Sequence, residues 1–475
     1  MANYTAIDPT QRSDFSLTPD IIPQIWDYHA QEGVRQKDWL SQFEGEGGDK
    51  PIQSGQDKLK KAGDTVVYTT EGELVGEAVQ GDTAAVGTEE GETYNTYTCV
   101  VDYQRHAVAR TRRFVGQMAA AGKSSLVEKL TGWLGRLRQH HAALKIVKDC
   151  RFTSGGQSKN LIYSGGGSAE ASLTANNVLS TNLLQQMRSK LIGLGAKPAN
   201  LSMEEGQEIP EYVGWGTQRV LAGLDNDAQW NQANLNARGR ESGRDAKNPL
   251  FNGSFGVYKG IRLFEFPVPD HDNPAKGAIG FPFEPRALLR TALTGTGTTT
   301  IDGGGSSGLA GGAATKPYYF KDFPGYDYLF TSGQSSAADA GTYYLAIYNL
   351  PGSANAGKRE IISYVGSNNN GNTITSVTRG VNAADSDYHS DHDANSLIVP
   401  VTSNGVPYAF FPVLGRMGLI RAYGEFKEQM DFENQDYGHV RGACISSVFG
   451  QNTAKRVDGT IRNIVLAQVA IDPLA

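Results

Sequence analysis

Hydrophobic and β-branched residues form two short runs in residues 63–108, on either side of a long polar stretch. The runs Val66–Thr70 and Tyr94–Val101 are rich in valine, threonine and tyrosine, which favour a pleated, half-buried strand. No Lys or Arg occurs from Ala62 to Gln104, and the stretch between the runs carries seven carboxylates: Glu71, Glu73, Glu77, Asp82, Glu89, Glu90 and Glu92. The pattern predicts a long hairpin whose acidic tip has too little apolar surface to pack on its own domain.

A helical period replaces this pattern in residues 124–149, SSLVEKLTGWLGRLRQHHAALKIVKD. Apolar residues recur there at helical spacing and predict one buried stripe, formed by Leu126, Leu130, Trp133, Leu137, Leu144 and Val147. Ser125, with Glu128 three residues later, matches a capping box and predicts the start of the helix. At 1.5 Å per residue the helix would span about 40 Å.

The rest of the chain predicts a mixed α/β body with an arm and an insertion. Residues 1–60 are polar and indicate an arm, with one short amphipathic helix at Ile21–Phe43. Gly, Ser and Thr dominate residues 293–314, which indicates a flexible linker before a separate β module at 316–404. For the body the patterns predict helices at Leu179–Leu194 and Thr217–Ala237, and strands at Gly260–Phe266, Gly442–Phe449 and Ile461–Val469.

Within the β module, short runs of β-branched and aromatic residues predict strands at Tyr343–Tyr348, Glu360–Val365, Thr373–Thr378 and Ser396–Val401. Asn370 and Gly371 form a two-residue signal for a tight hairpin turn. The module interrupts a body whose last strands lie near the C-terminus. We therefore expect an insertion into a domain that closes only at the end of the chain.

Composition narrows the class of protein. The 475 residues carry a formal net charge of -6, which argues against a dedicated nucleic-acid binder, because such proteins carry a basic footprint. The three cysteines lie far apart and match no metal spacing, which is typical of a reducing compartment. No signal-peptide pattern is visible and no stretch approaches 18 apolar residues, so we expect a cytosolic product that does not span a membrane.

Two motifs resemble binding sites. GQMAAAGKSS (116–125) ends like a phosphate-binding loop, but five residues rather than four separate its glycines, so a helix cap is the favoured interpretation. DSDYHSDHD (385–393) favours a solvated loop, and the weaker alternative is a divalent-cation site at Asp385, Asp387, His389, Asp391 and Asp393. No acid/base or nucleophile constellation is visible. We therefore expect no enzyme activity, no cofactor and no metal.

A basic segment, QRHAVARTRRF (104–114), directly follows the acidic hairpin. Its cations are Arg105, Arg110, Arg112 and Arg113. One interpretation is an exposed, charged strand end. The other is that the acidic arm of one copy, through Glu71, Glu73 and Glu77, lies on this basic strip of another copy. The lack of any cation in the arm favours the second interpretation, so we predict these seven residues as inter-subunit contacts.

The order of these elements resembles that of tailed-phage major capsid proteins of the Hong Kong 97 type. Several segments are also similar, in kind and order, to the family containing the coat protein of the podovirus "N-four": GDTVVYTTEGELVGEAVQGD, DYQRHAV, NPLFNGSFGVYKGIRLFE (248–265), RALL (286–289) and DYGHVRGACISSVFGQNTAKR (436–456). The insertion resembles a small β unit of phage virion proteins, with a strand, a turn, TRG (378–380) and a His-containing loop. The insertion departs from that unit before His389.

The resemblance implies an α+β, Hong Kong 97-like fold. Its expected parts are an N-terminal arm (1–60), an E-loop hairpin (61–108), a spine-helix P-domain with the first part of an A-domain (109–292), a flexible linker with an inserted β domain (293–404), and the completion of the A- and P-domains (405–475). In such shells the E-loop reaches across a neighbouring subunit, which supplies the packing surface that the hairpin lacks.

As function, the resemblance implies a major capsid protein that assembles in the host cytoplasm into hexamers and pentamers of a virion shell. The shell would enclose double-stranded DNA without sequence-specific binding. The implied partners are a scaffolding protein, a portal and a decoration protein, with no membrane. The alternative is a phage-associated adhesin or glycan-binding virion protein that uses the inserted module.

Overall fold

The computed structural model describes the chain from Lys37 to Leu474 with gaps. The residues that it does not describe are 1–36, 72–75, 77, 81–85, 87–88, 93, 112–122, 154–155, 158–159, 205–206, 233–255, 268–280, 290–291, 296, 298–299, 303–325, 330–331, 336–340, 354, 369–372, 436–439, 456–459 and 475. The predicted helix start at Ile21 and the turn at Asn370 and Gly371 therefore lie outside the described residues.

The described α-helices are α1 (Lys123–Arg151), α2 (Thr181–Gly193) and α3 (Gln218–Leu221). The strands of the first half are β1 (Glu44–Gly45), β2 (Ile52–Gln56), β3 (Thr65–Glu71), β4 (Tyr94–Val100), β5 (Asp102–Thr111), β6 (Phe152–Thr153), β7 (Gly156–Gln157), β8 (Leu161–Tyr163), β9 (Ala199–Glu204), β10 (Gln207–Gly216), β11 (Gly256–Tyr258) and β12 (Ile261–Glu265). Those of the second half are β13 (Ala287–Leu288), β14 (Ile301–Asp302), β15 (Tyr326–Leu329), β16 (Ser332–Ser335), β17 (Thr342–Tyr348), β18 (Arg359–Val365), β19 (Thr373–Ile374), β20 (Leu397–Val401), β21 (Tyr408–Leu414), β22 (Leu419–Tyr423), β23 (Gln429–Gln435), β24 (Val440–Thr453) and β25 (Ile464–Ala470).

Helix α1 forms the spine of the molecule, as the sequence predicts. Ser125 lies inside its first turn, so the predicted N-cap at that residue is wrong. The buried surface is also wider than one stripe, because Leu134, Ala143 and Ile146 are buried as well. Gly135 has a specific reason to be glycine: a Cβ there would sit 3.1 Å from the backbone nitrogen of Asp38. The helix is therefore packed on several sides.

A six-stranded sheet lies beside α1, in the order β1-β2-β22-β24-β23. Its sixth strand, β5, also pairs with the long strand β24. Two of its features differ from the prediction. Strand β5 was not predicted, although all ten of its residues pair antiparallel with Val440–Phe449. Strand β2 pairs parallel with β22, and Leu40, Phe43 and Ile52 belong to the main core. Residues 38–56 of the predicted arm therefore pack against the body.

A seven-stranded sheet forms the second layer of the body, in the order β11-β12-β10-β21-β25-β8 with β9 on β10. Helix α2 and strands β12 and β25 confirm the predicted elements there. The predicted helix Thr217–Ala237 is not one continuous helix. It is split into α3, a 3-10 turn at Ala222–Asn226 and a helical stretch at residues 228–232.

The inserted module is built on a four-stranded sheet in the order β13-β20-β17-β18. Its strands β17, β18 and β20 confirm the prediction, whereas β19 ends at Ile374 instead of Thr378. Leu293 and Ile301, which the prediction places in the flexible linker, are instead buried in the module's core. Since Ala287 and Leu288 pair with β20, the module begins before residue 293.

Candidate inter-subunit surface

The described strands of the hairpin β3–β4 pack on the body through their inner face. A cluster of buried side chains joins the two: Val66, Tyr97, Cys99 and Val101 with Ile420, Ala422, Val448 and Ala454. Gly450 permits this close approach, because a Cβ there would sit 2.0 Å from the carbonyl oxygen of Val100. The strand register, Val66 opposite Cys99, sets which face is turned inward.

The outer face of the same hairpin exposes two valines and a tyrosine among threonines. Val67 and Val100 are 55% and 56% exposed, and Tyr94 at the far end of β4 is 55% exposed. Towards the tip, Val86 is 86% exposed. Exposed apolar side chains on an extended element make this face a candidate surface for contact with another chain.

The predicted acidic contacts lie on this hairpin as far as the structure describes them. Glu71 is the last residue of β3, opposite Tyr94, while Glu73 and Glu77 lie outside the described residues. Farther along, Glu90 accepts a hydrogen bond from the backbone nitrogen of Gly76 at 2.6 Å. That bond joins the two sides of the hairpin beyond its last strand pair.

Two of the predicted basic contacts, Arg105 and Arg110, lie on strand β5. Arg105 is exposed and stands opposite Ser446, on the face of the sheet that turns away from α1. Arg110 lies five residues farther along the same strand, opposite Arg441. Arg112 and Arg113 lie outside the described residues. The structure thus places Arg105 and Arg110 on one strand, and the contact with an acidic arm stays a prediction.

A buried ionic network, which sequence reasoning missed, fixes the segment after residue 37 to the body. The side chains of Asp38, Glu44, Arg138, Arg421 and Glu428 form it. Arg421 Nη1 lies 2.6 Å from Asp38 Oδ2 and also pairs with Glu44, while Arg138 Nη2 lies 2.6 Å from Glu428 Oε1. Burial raises the pKa of the Glu44 carboxyl, and Arg421 only partly offsets this. These partners are too far apart in sequence for any local pattern to reveal them.

Two further arginines join the inserted module to the body. Arg151, at the end of α1, donates to Glu170 Oε2 at 2.8 Å and to the Tyr408 hydroxyl at 3.0 Å. Its guanidinium also lies 5.8 Å from the ring centre of Tyr343 in the module. At the module's start, Arg286 Nη2 lies 2.7 Å from Glu284 Oε1, and both side chains are buried. Glu284 in turn accepts a hydrogen bond from the Thr217 hydroxyl of the body at 2.7 Å. The module is therefore anchored by buried charges at its base.

The Asp/His loop distributes its side chains over separate contacts. Asp387 pairs with Arg359 at 2.6 Å, and Asp391 Oδ1 accepts from the backbone nitrogen of Gly295 at 2.6 Å. His389 Nδ1 accepts from the backbone nitrogen of Asp391, while Asp385 and Asp393 are exposed. Across the described parts of the chain, no group of three or more His, Cys, Asp or Glu side chains is arranged to hold a metal ion.

The structurally important histidine of this loop is His392, which the sequence analysis did not single out. Its Nε2 lies 3.1 Å from Glu360 Oε2 and its Nδ1 lies 3.0 Å from Asn349 Oδ1. Glu360 also accepts from Arg379 Nη2 at 2.6 Å and from the backbone nitrogen of Gly380 at 2.8 Å. Burial alone would raise the pKa of Glu360, but the bonds from His392 and Arg379 lower it. The TRG segment therefore closes the module's core.

The second motif that resembles a binding site, GQMAAAGKSS, lies mostly outside the described residues. The glycines of GQMAAAGKSS, Gly116 and Gly122, lie outside the described residues, and α1 begins directly after them at Lys123. A search of the described helices finds none that is long and apolar enough to cross a membrane.

Comparison with known proteins gives the family. A family model described as a phage capsid protein matches residues 16–278, which is more than half of the chain. The chain belongs to this phage capsid protein family. It is a major capsid protein, a structural subunit of a phage shell, as the sequence resemblance predicts. No curated protein matches the chain significantly.

Solved capsid structures share the fold of this capsid protein. The capsid of Ralstonia phage GP4 is similar with a TM-score of 0.54 and 15% identity, over 92% of both chains. The Cyanophage Pam1 capsid has a TM-score of 0.50 and 16% identity, over 91% of this chain and 92% of that one. The acid-stable capsid of Helicobacter pylori bacteriophage KHP30 has a TM-score of 0.50 and 10% identity, over 92% and 91%. The predicted α+β, Hong Kong 97-like fold is confirmed.

Proposed function

We propose that this capsid protein assembles through its hairpin into hexamers and pentamers that close an icosahedral head. The observation that carries the proposal is the pair of unlike hairpin faces: Val66 and Cys99 are buried on the subunit's own body, while Val67 and Val100 are exposed. A neighbouring subunit that covers the outer face would supply the missing packing. A contact repeated in every copy of a closed shell gains strength from simultaneous engagement.

The contents and partners of the shell follow from the same proposal. The head encloses double-stranded DNA without sequence-specific binding, in keeping with the net charge of -6. A scaffolding protein directs assembly in the host cytoplasm, a portal occupies one vertex, and a decoration protein binds the outside. The subunit has no enzyme activity. Within the capsid family, the quoted segments support a place beside the coat protein of the podovirus "N-four".

Negative-stain electron microscopy and sedimentation of the purified chain, with and without its scaffolding protein, test this function. We expect polyhedral shells that sediment far ahead of the free subunit. A chain that stays monomeric, or forms only small oligomers, in the presence of scaffold would contradict the proposal.

The adhesin alternative gains no support from the described module. Its four-stranded sheet is buried on both faces, since one cluster packs around Leu345 and Ile362 and the other around Ala346 and Val399. No open sheet face remains there for a glycan.

A further inference from the structure

The six-stranded sheet beside α1 ends in two long strand edges. Strands β5 and β23 each pair with β24, and within the described residues neither has a strand on its other side. β5 runs for ten residues and β23 for seven, and both lack the prolines and lysines that commonly shield an edge. The backbone N–H and C=O groups along these two edges can therefore pair with a further strand.

The strand register places charges of opposite sign on one face of the two edges. Ile445 and Met430 stand opposite each other on the side of the sheet that packs on α1, so Asp431, the next residue of β23, points away from the helix. His106, also opposite Ile445, stacks on a tryptophan of α1, so its neighbour Arg105 points away as well. Both Asp431 and Arg105 are exposed.

Cys444, on the strand between the two edges, is influenced by both charges. It stands opposite Asp431 in the register. Burial raises the pKa of the Cys444 thiol, Asp431 raises it further, and Arg105 lowers it. The acidic edge and the basic edge therefore lie on either side of β24, on one face of the sheet.

The other face of the same two edges is apolar. Val108 on β5 and Phe432 on β23 are half-buried, and both pack against the cluster around Leu130 and Leu134 of α1. A strand added at either edge has to match a charged residue on one face and an apolar residue on the other. Each of the two edges offers what the other one needs.

We propose that the outer edge of β5 in one subunit pairs with the outer edge of β23 in a second copy, so that the sheet continues from one subunit to the next. Arg105 of one copy then lies beside Asp431 of the other, and Val108 beside Phe432. The inference rests on the proposed shell function. It names a contact between the bodies of two subunits, in which the hairpin β3–β4 takes no part.

Charge favours this mixed pairing over the pairing of like edges. Two β5 edges would bring together Arg105 and Arg110 of both copies, and two β23 edges would bring together Asp431 and Glu433. Opposite charges on neighbouring strands are stabilising, whereas like charges directly opposite each other are destabilising. A contact between two different edges joins the copies head to tail, which is the arrangement that closes into rings.

A charge swap in the full-length protein tests the pairing. Asp431→Arg or Arg105→Glu alone should lower the shell yield with scaffold at low salt by about fivefold or more, because every copy then repeats a like-charge contact. The double variant should restore the yield to within about twofold of the unmodified chain. The melting temperature of the isolated subunit should stay nearly unchanged, because both side chains are exposed. The matched control, Glu265→Arg, changes an exposed carboxylate at the end of β12 and should assemble like the unmodified chain.

The swap also decides between partners for Arg105. Failure of the double variant to restore shells would overturn the proposal. Rescue of Arg105→Glu by reversing Glu71, Glu73 and Glu77 to Lys would overturn it too, because Arg105 would then belong to a contact with the acidic arm.

Cross-linking between two chains tests the contact without relying on charge. Cys444→Ser chains that carry Arg105→Cys are co-assembled with Cys444→Ser chains that carry Asp431→Cys, so the two new thiols can be joined only between subunits. The two remaining native cysteines are buried. A bis-maleimide of about 8 Å reaches both directly opposite and diagonal positions of paired strands.

We expect a covalent dimer of one chain of each kind, identified by mass spectrometry. No mixed dimer should form when the second chain carries Asp385→Cys, at an exposed position of the inserted module, in place of Asp431→Cys. Assembled shells that give no dimer between Arg105→Cys and Asp431→Cys chains would contradict the pairing.

The outcomes also distinguish this inference from the proposed function. If the unmodified chain forms no shells with scaffold, both fail together. If all variants form shells equally well and no mixed dimer appears, the shell function stands and the contact between β5 and β23 is wrong.

Discussion

The hairpin and the inserted module are both additions to the same two-sheet body, but they differ in how much of their apolar surface is buried within the subunit. The module buries both faces of its sheet and closes its core with Glu360, Arg379 and His392. The hairpin buries one face on the body and exposes Val67 and Val100 on the other. The module is therefore stabilised within one subunit, whereas we propose that a second subunit covers the outer face of the hairpin.

This difference separates folding from assembly within one chain. Changes in the module should alter the stability of the subunit and leave the contacts between subunits intact. Changes on the hairpin's outer face should do the reverse. The body supports both, because the buried pair of Arg421 and Asp38 fixes the segment after residue 37 against the sheet from which the hairpin leaves.

Two deletions that differ in where the module is taken to begin and end test whether the module folds independently of the body. Deleting residues 316–404, as composition alone suggests, would strip Leu288, Leu293 and Ile301 of their partners in β17–β20. We expect that chain to be insoluble. Replacing residues 287–401 by a short Gly/Ser linker removes the whole sheet, and we expect soluble subunits that still form shells, as judged by sedimentation and microscopy. If both deletions behave alike, the boundary at Ala287 is wrong.

A point substitution inside the module should have the next largest effect. Glu360→Ala removes the buried carboxylate that Arg379 and His392 share, and breaking such a buried pair costs about 3–5 kcal/mol. We expect the module's unfolding transition to fall accordingly in calorimetry, while shells still form below it. Asp385→Ala, which changes an exposed carboxylate of the same module, is the matched control and should leave the transition unchanged. Equal transitions in the two variants would show that the network contributes little.

The same network predicts acid sensitivity. Since the folded pKa of Glu360 is lowered, its contribution to stability is present above the unfolded value near 4.5 and is lost as the pH falls below it. We expect the module's transition temperature to drop more steeply below pH 4.5 in the unmodified chain than in Glu360→Gln. Parallel pH curves for the two chains would contradict this.

The sequence predicts the elements of this fold whose signal is local. Helix α1 and the hairpin strands follow from periodicity and from β-branched runs. Strand β5 was missed because its sequence, DYQRHAVART, has no regular alternation of apolar and polar residues. Its place in the sheet comes from pairing with β24, more than 300 residues away. Strand β2 was placed in the arm for the same reason, since its partner is β22.

In the candidate site, too, the sequence predicts local features but not contacts between distant residues. Composition located the acidic segment and the arginines after it, because charge runs are visible in any sequence. The bond between Arg421 and Asp38 joins residues 383 positions apart, and no spacing reveals it. His392 was passed over for His389 because only burial distinguishes the two neighbouring histidines.

On the hairpin, a polar outer face should break assembly without breaking the fold. Val67→Gln with Val100→Gln removes two exposed apolar side chains, each worth about 1 kcal/mol or more once a neighbour buries it. We expect the subunit's melting temperature to change by little, and shell yield at a fixed protein concentration to fall several-fold. Thr replacements at both positions keep the β-branched shape and should lose less. A matching loss of melting temperature would mean that the outer face already packs within the subunit.

The smallest effect is expected from the arm's charges. Reversing Glu71, Glu73 and Glu77 to Lys leaves the subunit's stability nearly unchanged, because exposed ion pairs contribute only about 0–1 kcal/mol each. Assembly should weaken at low salt and recover as ionic strength rises, since screening acts over about 10 Å at 0.1 M. If Arg105→Glu in the same chain restores the shells, the arm lies on β5. Normal assembly of the triple reversal at low salt would show that the hairpin docks through its valines alone.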